Sequence, residues 1–271
     1  MKYFYIVTNT TKETSQQLAI QIKDYLEMKG KACVIAKDEP GRVAPDNAEC
    51  VIVLGGDGTV LRAARETLDR NLPILGINVG TVGYLTEVDR ESWQESIDQV
   101  LAGEFTLEER MLLEGRMEDG SVEYALNDIV FTRRGQLRIF SYDIYINGQF
   151  LNKLSADGVI LATPTGSTAY NLSAGGPIIE PSARMILMTP ICPHSLNSRS
   201  VILSPDDIVT VRIGKTSSAP VIEADANFDG GTSVQLKTGD EVHVRTSSRT
   251  TRLIRLSHRS FMETLHNKMY K

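Results

Sequence analysis

The sequence predicts an α/β N-terminal domain with a parallel sheet, then a mainly β C-terminal domain of β-sandwich type, with a C-terminal helix that packs back on the first domain. Three observations lead there. Strand-like and helix-like segments alternate up to about residue 104. From Phe105 short segments of alternating polarity replace them, and convincing helices become few. The tail "SHRSFMETLHNKMYK" returns to helical spacing. The expected domains are residues 1–104, completed by the tail 256–271, and residues 105–255.

Each element has its own signal. Residues 3–7 form a buried-strand run. Thr10-Thr11-Lys12-Glu13 reads as a capping box, and Leu18, Ile22, Tyr25 and Leu26 form the apolar stripe of the helix behind it. Gly30 is placed to cap that helix at its C-terminus. Further strands are expected at 32–36, 51–54 and 74–77, with helices at 59–69 and 92–101. Ligands on a parallel sheet of this kind sit at the carboxyl ends of strands, where the glycine-rich stretches 55–58 and 76–83 fall. In the second part, Asn147-Gly148 between two alternating runs is a strong hairpin signal. On the tail, Phe261, Met262, Leu265 and Met269 share one stripe.

Bulk properties narrow the function. The chain has 271 residues, with 29 basic against 34 acidic residues and a formal charge of −5. That balance gives no electrostatic footprint for nucleic acid or an anionic membrane. The three cysteines (Cys33, Cys50 and Cys192) form no CxxC, and the four histidines show no zinc spacing, so no metal site is expected. No apolar run has the length of a signal peptide core or a membrane span. These features predict a soluble cytoplasmic protein.

Three stretches carry chemistry. In "VIVLGGDGTVLRAARE", from Val51 to Glu66, a strand runs through a glycine turn into a helix. It lacks the Gly-Lys-Ser/Thr of a P-loop, and Leu61 stands where a dinucleotide fingerprint has its third glycine. Asp57 lies between Gly56 and Gly58, which expose backbone amides to a ligand. A carboxylate here could accept a proton from an attacking hydroxyl, hold Mg²⁺, or cap the helix. In "GINVGTVGYL", Gly76, Gly80 and Gly83 make a tight turn, and Tyr84 can offer a ring face to a base or pack as a structural tyrosine. In "TPTGSTAYNLSAGGP", from Thr163 to Pro177, five hydroxyl side chains precede Gly175-Gly176, which suits a polar ligand or a solvated loop, and Tyr170 can stack. Asn127-Asp128 and Asp157-Gly158 each open a strand and suit an adenine edge, ribose hydroxyls or a turn. No nucleophile triad is present around Ser155 or Cys192.

Together "GGDGTVLRAAR", "GINVGTVGYLTE", "LNDIV", "DGVILATPTGSTAYNLSAGGPI" and "TPICPHSLNSRSVIL" resemble the NAD kinase family in order and spacing, over nearly the whole chain. The Gly-Gly-Asp-Gly-Thr run also occurs in lipid kinases; the Thr163 to Pro177 stretch is far more specific. The resemblance implies transfer of phosphate from ATP, with Mg²⁺ or another divalent cation, to the 2′-hydroxyl of the adenosine ribose of NAD, giving NADP. It implies Asp57 as proton acceptor, with Gly58 beside it. It implies that Asn127 and Asp128 contact the adenosine, that Thr168, Ala169, Tyr170, Asn171 and Ser173 line the same pocket, and that Asp157 belongs to the dinucleotide site. Tyr84, Arg62 and Arg138 complete the implied set, the two arginines toward phosphates. A homodimer or homotetramer is implied as well. Two positions depart from the family pattern: Gly231 follows Asp229-Gly230 where glutamine is usual, and Ser155 stands where a basic residue is common.

Two other readings compete. A lipid kinase would need an apolar or basic membrane-facing helix, which the sequence does not offer. A dinucleotide-binding regulator would keep the Tyr170 and Asn127 contacts and have no need of Asp57.

Overall fold

The computed structural model describes the chain except residues 9–12, 37–42, 81–82, 136–139, 196, 216–221, 257–259 and 270–271. The chain divides into two compact units, Met1–Arg110 with Thr250–Lys271, and Met111–Arg249.

In the first unit, strands β1 (Tyr3–Thr8), β2 (Ala32–Ile35), β3 (Cys50–Gly55) and β4 (Ile74–Asn78) are parallel in the order β4-β3-β1-β2. The short strand β5 (Val88–Asp89) continues from β4, also in parallel. Every residue of β3 and β4 is buried, as expected where helices cover a parallel sheet. Helix α1 (Glu13–Met28) buries Leu18, Ala19, Ile22 and Leu26 against Phe4, Ile6, Ile52 and Leu54. It ends in a Schellman turn: Lys31 N–H donates to Leu26 O and Gly30 N–H to Glu27 O, with Gly30 at φ +71°. The capping box expected at its start falls largely outside the described residues. Helix α2 spans Asp57–Glu66, two residues earlier than its sequence signal. Gly56 caps it in an extended conformation, and Gly58 is tolerated because the first-turn amides need no intrahelical partner. Helix α3 (Trp93–Ala102) follows a 3₁₀ turn and buries Ile97 and Val100.

The tail helix, Phe261–Met269, differs from its sequence expectation. Met262 and Met269 are 63% and 48% exposed and lie off the inward stripe. The half-buried residues are Phe261, Thr264, Leu265 and Lys268, spaced i, i+3, i+4 and i+7. Among the described residues no helix is long and apolar enough to cross a membrane.

The second unit is built from antiparallel strands that enclose one core. Its strands are β6 (Thr106–Met117), β7 (Val122–Ala125), β8 (Asp128–Arg133), β9 (Ser141–Ile146), β10 (Gln149–Ser155), β11 (Gly158–Ala162), β12 (Ile186–Ile191), β13 (Val201–Leu203), β14 (Val209–Ile213), β15 (Glu223–Phe228), β16 (Thr232–Lys237) and β17 (Glu241–Arg255). The outer residues of β6 and β17 belong to the first unit. One sheet has the order β13-β12-β11-β8-β15-β16; β10, β9, β14 and β17 pair in sequence in the facing sheet. Phe131, Val159, Leu161 and Phe228 from the first meet Tyr142, Ile144, Val211 and Val242 from the second. The predicted hairpin is present, with Asn147 at φ +51° and Gly148 at φ +78°, the pair of left-handed residues that a two-residue type I′ turn requires. Strand β11 is buried on both faces: Val159 and Leu161 enter the sandwich core, while Ile160 and Ala162 join a second cluster with Val130, Leu187 and Ile191. Ala174, Ile179 and Met185 cover that second face. This is why the segment reads as an unbroken apolar run, and why the hydroxyl-rich stretch after it is held against the sheet.

Candidate active site

The first unit holds Asp57. Strand β3 delivers the chain to Gly55-Gly56, and α2 begins at Asp57 itself. The N-cap residue of the helix is Gly56, which brings no side-chain cap bond. The Asp57 Oδ2 accepts the backbone N–H of Tyr84 at 2.8 Å, and its Oδ1 that of Leu85 at 2.9 Å. Both oxygens are thereby fixed by rigid donors, each charge-assisted bond contributing about 1.5–3 kcal/mol. The close approach depends on Gly83: a Cβ there would stand 1.8 Å from Asp57 Oδ1. The glycines of the second loop thus serve the aspartate of the first, a link no local pattern reveals.

Tyr84 is half-buried, and the ammonium of Lys268 lies over its ring, 3.9 Å from the centroid. Burial, then the charge of Asp57, pushes the Tyr84 hydroxyl above its ordinary value. For Lys268, burial pulls the ammonium below the ordinary lysine value and Asp57 acts in the opposite direction. The ring face expected to meet a base is therefore covered on one side by Lys268, a residue that no motif marks. Arg62 is turned to structural use, its Nη2 donating to Thr8 O at 2.8 Å and its Nε lying 3.9 Å from Glu66. Arg138 lies outside the described residues. Gly58 is exposed at the second position of α2.

In the second unit, two of the predicted stretches, Asn127-Asp128 and Thr163 to Pro177, converge with Asp229. The carboxylate of Asp229 accepts the backbone N–H groups of Leu126 at 2.8 Å, Asn127 at 2.7 Å and Asp128 at 3.2 Å. Asp229 takes φ +50° and Gly230 φ +63°, so the Asp-Gly pair turns the β15–β16 hairpin while its carboxylate holds the neighbouring turn. Thr163 ties the next stretch to the same turn: its N–H donates to Asn127 O at 2.9 Å and its hydroxyl to Leu126 O at 2.6 Å. Gly166 runs so close that a Cβ would meet Asn127 O at 2.0 Å. Asp128 is 6% exposed; burial, and then Asp229, raises its carboxyl to about 7.

The hydroxyl-rich stretch divides into two sets. Thr163, Thr165, Ser167 and Asn171 are buried. The Ser167 hydroxyl donates to Ile179 O and accepts its N–H; the Asn171 amide donates to Ser167 O and Pro177 O and accepts from Thr189. Asn171, expected as a ligand contact, is instead the internal brace of the loop, since its amide is fully enclosed by these partners. Thr168 and Ala169 are half-buried, and Tyr170 and Ser173 are exposed, Tyr170 by 44%. These four present the loop's surface. Asp157 is not part of this cluster. It precedes β11 while Thr163 follows it, about 20 Å along the strand, and its carboxylate lies 3.5 Å from Arg133. Among the described residues no group of three or more His, Cys, Asp or Glu side chains is placed to hold a metal ion.

Comparison with known proteins agrees in both halves. Residues 37–105 match the ATP-NAD kinase N-terminal domain and residues 126–256 the ATP-NAD kinase C-terminal domain. The chain is 44% identical to an NAD kinase of Lachnospira eligens, covering 99% of this chain and 100% of that one, and 38% identical to an NAD kinase of Lachnoclostridium phytofermentans, covering 99% of each. Among solved structures, yeast NADH kinase complexed with NADH superposes with a TM-score of 0.87 at 28% identity, over 99% of this chain and 87% of that one. An NAD kinase from Archaeoglobus fulgidus in complex with ATP gives 0.82 at 25% identity, over 98% of each. With both domain matches in chain order and relatives aligned end to end, the chain belongs to the ATP-NAD kinase family.

Proposed function

We propose that the chain transfers the terminal phosphoryl group of ATP to the 2′-hydroxyl of the adenosine ribose of NAD, with Asp57 as the proton acceptor. The observation that carries this reading is the Asp57 carboxylate, held by the amides of Tyr84 and Leu85 in a glycine turn at the carboxyl end of a buried parallel strand. Such a group is an acceptor of fixed orientation, which is what a general base needs. The 2′-oxygen forms its bond to the γ-phosphorus, the bond from that phosphorus to the β–γ bridging oxygen breaks, ADP leaves, and the hydroxyl proton passes to an Asp57 oxygen. NADP is the product.

The second unit supplies the recognition of adenosine in this reading. Asn127 and Asp128 meet the base and ribose, Thr168 and Ala169 line the contact, and Tyr170 stacks, with Ser173 beside it. Asn171 and Asp229 act by holding these residues in place. Asp157 and Arg138 belong to the remainder of the dinucleotide. Mg²⁺ or another divalent cation would be held mainly by the phosphate oxygens of ATP and would supply neutralisation of their charge. The soluble homodimer or homotetramer belongs to the same reading and is measurable by sedimentation equilibrium.

The lipid-kinase alternative shares only the Gly-Gly-Asp-Gly-Thr run, whereas the family match extends through residues 126–256, and a non-catalytic regulator gives no reason for the clamp on Asp57. The test is incubation with ATP, Mg²⁺ and NAD, with the product read by an NADP-specific dehydrogenase. Signal that requires all three components supports the assignment, and its absence with folded protein overturns it.

A further inference from the structure

The tail helix Phe261–Met269 turns two of its four apolar residues outward and takes a lysine onto its inward stripe. Met262 and Met269 are exposed, whereas the half-buried stripe that starts with Phe261 ends in Lys268. No residue of this helix is fully buried. A stripe position that removes an ammonium from water lowers stability unless the charge finds a partner. Among the described residues Lys268 forms no ion pair, and its recorded neighbour is the Tyr84 ring at 3.9 Å. Lys29 shows the contrasting arrangement: it also lies over a ring, that of Tyr25 at 5.0 Å, and it is neutralised by Asp98 at 2.9 Å.

The position of Lys268 follows a short chain of contacts. Its ammonium sits on Tyr84, the Tyr84 amide is bonded to Asp57 Oδ2, and Asp57 is the charge that acts on the lysine. If Asp57 accepts the proton of the attacked hydroxyl, the phosphoryl group in transfer must lie beside that carboxylate. A carboxylate alone repels it. A lysine is a compact point charge suited to phosphate oxygens, and it is flexible enough to leave the ring for a ligand.

We propose that Lys268 is a further substrate-binding residue of the reaction, whose ammonium takes up a terminal phosphate oxygen of ATP beside Asp57. The inference rests on the proposed function above. The last helical turns of the chain then form part of the donor site.

The test compares Lys268→Met, which removes the charge and keeps the stem, with Lys268→Arg, which keeps the charge. Lys268→Met is expected to raise KM for ATP about tenfold or more and to leave KM for NAD within about twofold, while Lys268→Arg restores most of the ATP affinity. A helix that only stabilises the fold would instead lower Tm and move both KM values together, and that result overturns the assignment, as does an unchanged KM for ATP in folded Lys268→Met. A second measurement needs no variant. In the native enzyme, a non-hydrolysable ATP analogue is expected to slow acetylation of Lys268, read by mass spectrometry, whereas NAD alone leaves it unchanged. Absence of protection by the analogue contradicts the proposal. Wild-type turnover in the same assay separates the two readings: no NADP from wild type refutes the proposed function, and normal turnover with an unaffected Lys268→Met refutes only the role of Lys268.

Discussion

At the scale of single residues, the proposed chemistry turns on Asp57. Its neighbours in sequence made it a candidate, because a carboxylate between two glycines at a strand end is misplaced for passive phosphate binding. Its actual restraint comes from Tyr84 and Leu85, 27 and 28 positions away, and was not legible from the local pattern. Asp57→Asn is expected to lower kcat by about 10²–10⁴ with KM for NAD little changed, since general-base assistance acts on the transition state. The amide retains one acceptor oxygen, so one of the two backbone N–H groups loses its partner, a loss of about 1–3 kcal/mol in urea unfolding. Retention of more than about half of the wild-type kcat would remove Asp57 from the role of base. Gly83→Ala tests the clamp without touching the carboxylate. The new Cβ would stand 1.8 Å from Oδ1 and 2.6 Å from Cγ, so Asp57 must move. A shift of about 1 Å is enough to lower kcat by about 10², and circular dichroism should show the fold intact. A Gly83→Ala enzyme with normal kcat would show that the orientation of Asp57 does not matter.

At the scale of elements, the sequence was most informative where periodicity and turn chemistry agree. The Asn147-Gly148 hairpin and the Gly30 cap follow from backbone conformations that few residues adopt, so both could be read directly. The stretch from Thr163 to Pro177 was legible as special and less so in detail. Its hydroxyls suggested ligand contacts, yet Thr163, Ser167 and Asn171 are consumed in holding the loop on the second face of β11. Polarity alone does not distinguish a side chain that meets a ligand from one that satisfies buried backbone. The tail stripe holds at Phe261 and Leu265 and fails at Met262 and Met269 for a related reason: helical spacing identifies faces, and tertiary placement decides which face turns inward. Asp229 stands out in the sequence only as a weak candidate, through the Asp-Gly pattern beside the departure at Gly231, whereas its three amide contacts lie about a hundred positions away.

The Asp128–Asp229 pair gives this loop cluster a pH signature. The Asp128 carboxyl is raised to about 7, by burial first and by Asp229 second. The folded protein therefore keeps a proton on Asp128 that the unfolded chain releases at the ordinary carboxylate value. Stability from this group is complete at acidic pH and is lost as pH rises through about 7. Asp128→Asn, neutral throughout, is expected to flatten that decline and to gain up to about 4 kcal/mol at about pH 8, measured by urea unfolding at stepped pH. An unchanged slope would mean that Asp128 is already ionised in the folded state.

At the scale of the whole molecule, the strand–helix alternation of the first unit and the alternating polarity of the second were enough to read an α/β part and a β-sandwich. What the chain could not disclose are relations between distant segments: the loop that clamps Asp57, the turn held by Asp229, and the lysine that the tail sets over Tyr84. These three relations carry most of the proposed chemistry. They arise from contacts across long sequence separations, which no window of local pattern samples.

The most direct test of the central claim uses an NAD analogue whose adenosine 2′-hydroxyl is replaced by hydrogen, supplied with ATP and Mg²⁺ to the wild-type enzyme. If Asp57 serves that hydroxyl alone, the analogue should bind and compete with NAD, weakened by about 1–3 kcal/mol for the lost hydrogen bond, and ³¹P spectra should show no phosphate transferred to it. NAD in the parallel reaction should give NADP. Phosphate appearing at any position of the deoxy analogue would contradict the assigned acceptor, even with NAD itself an active substrate.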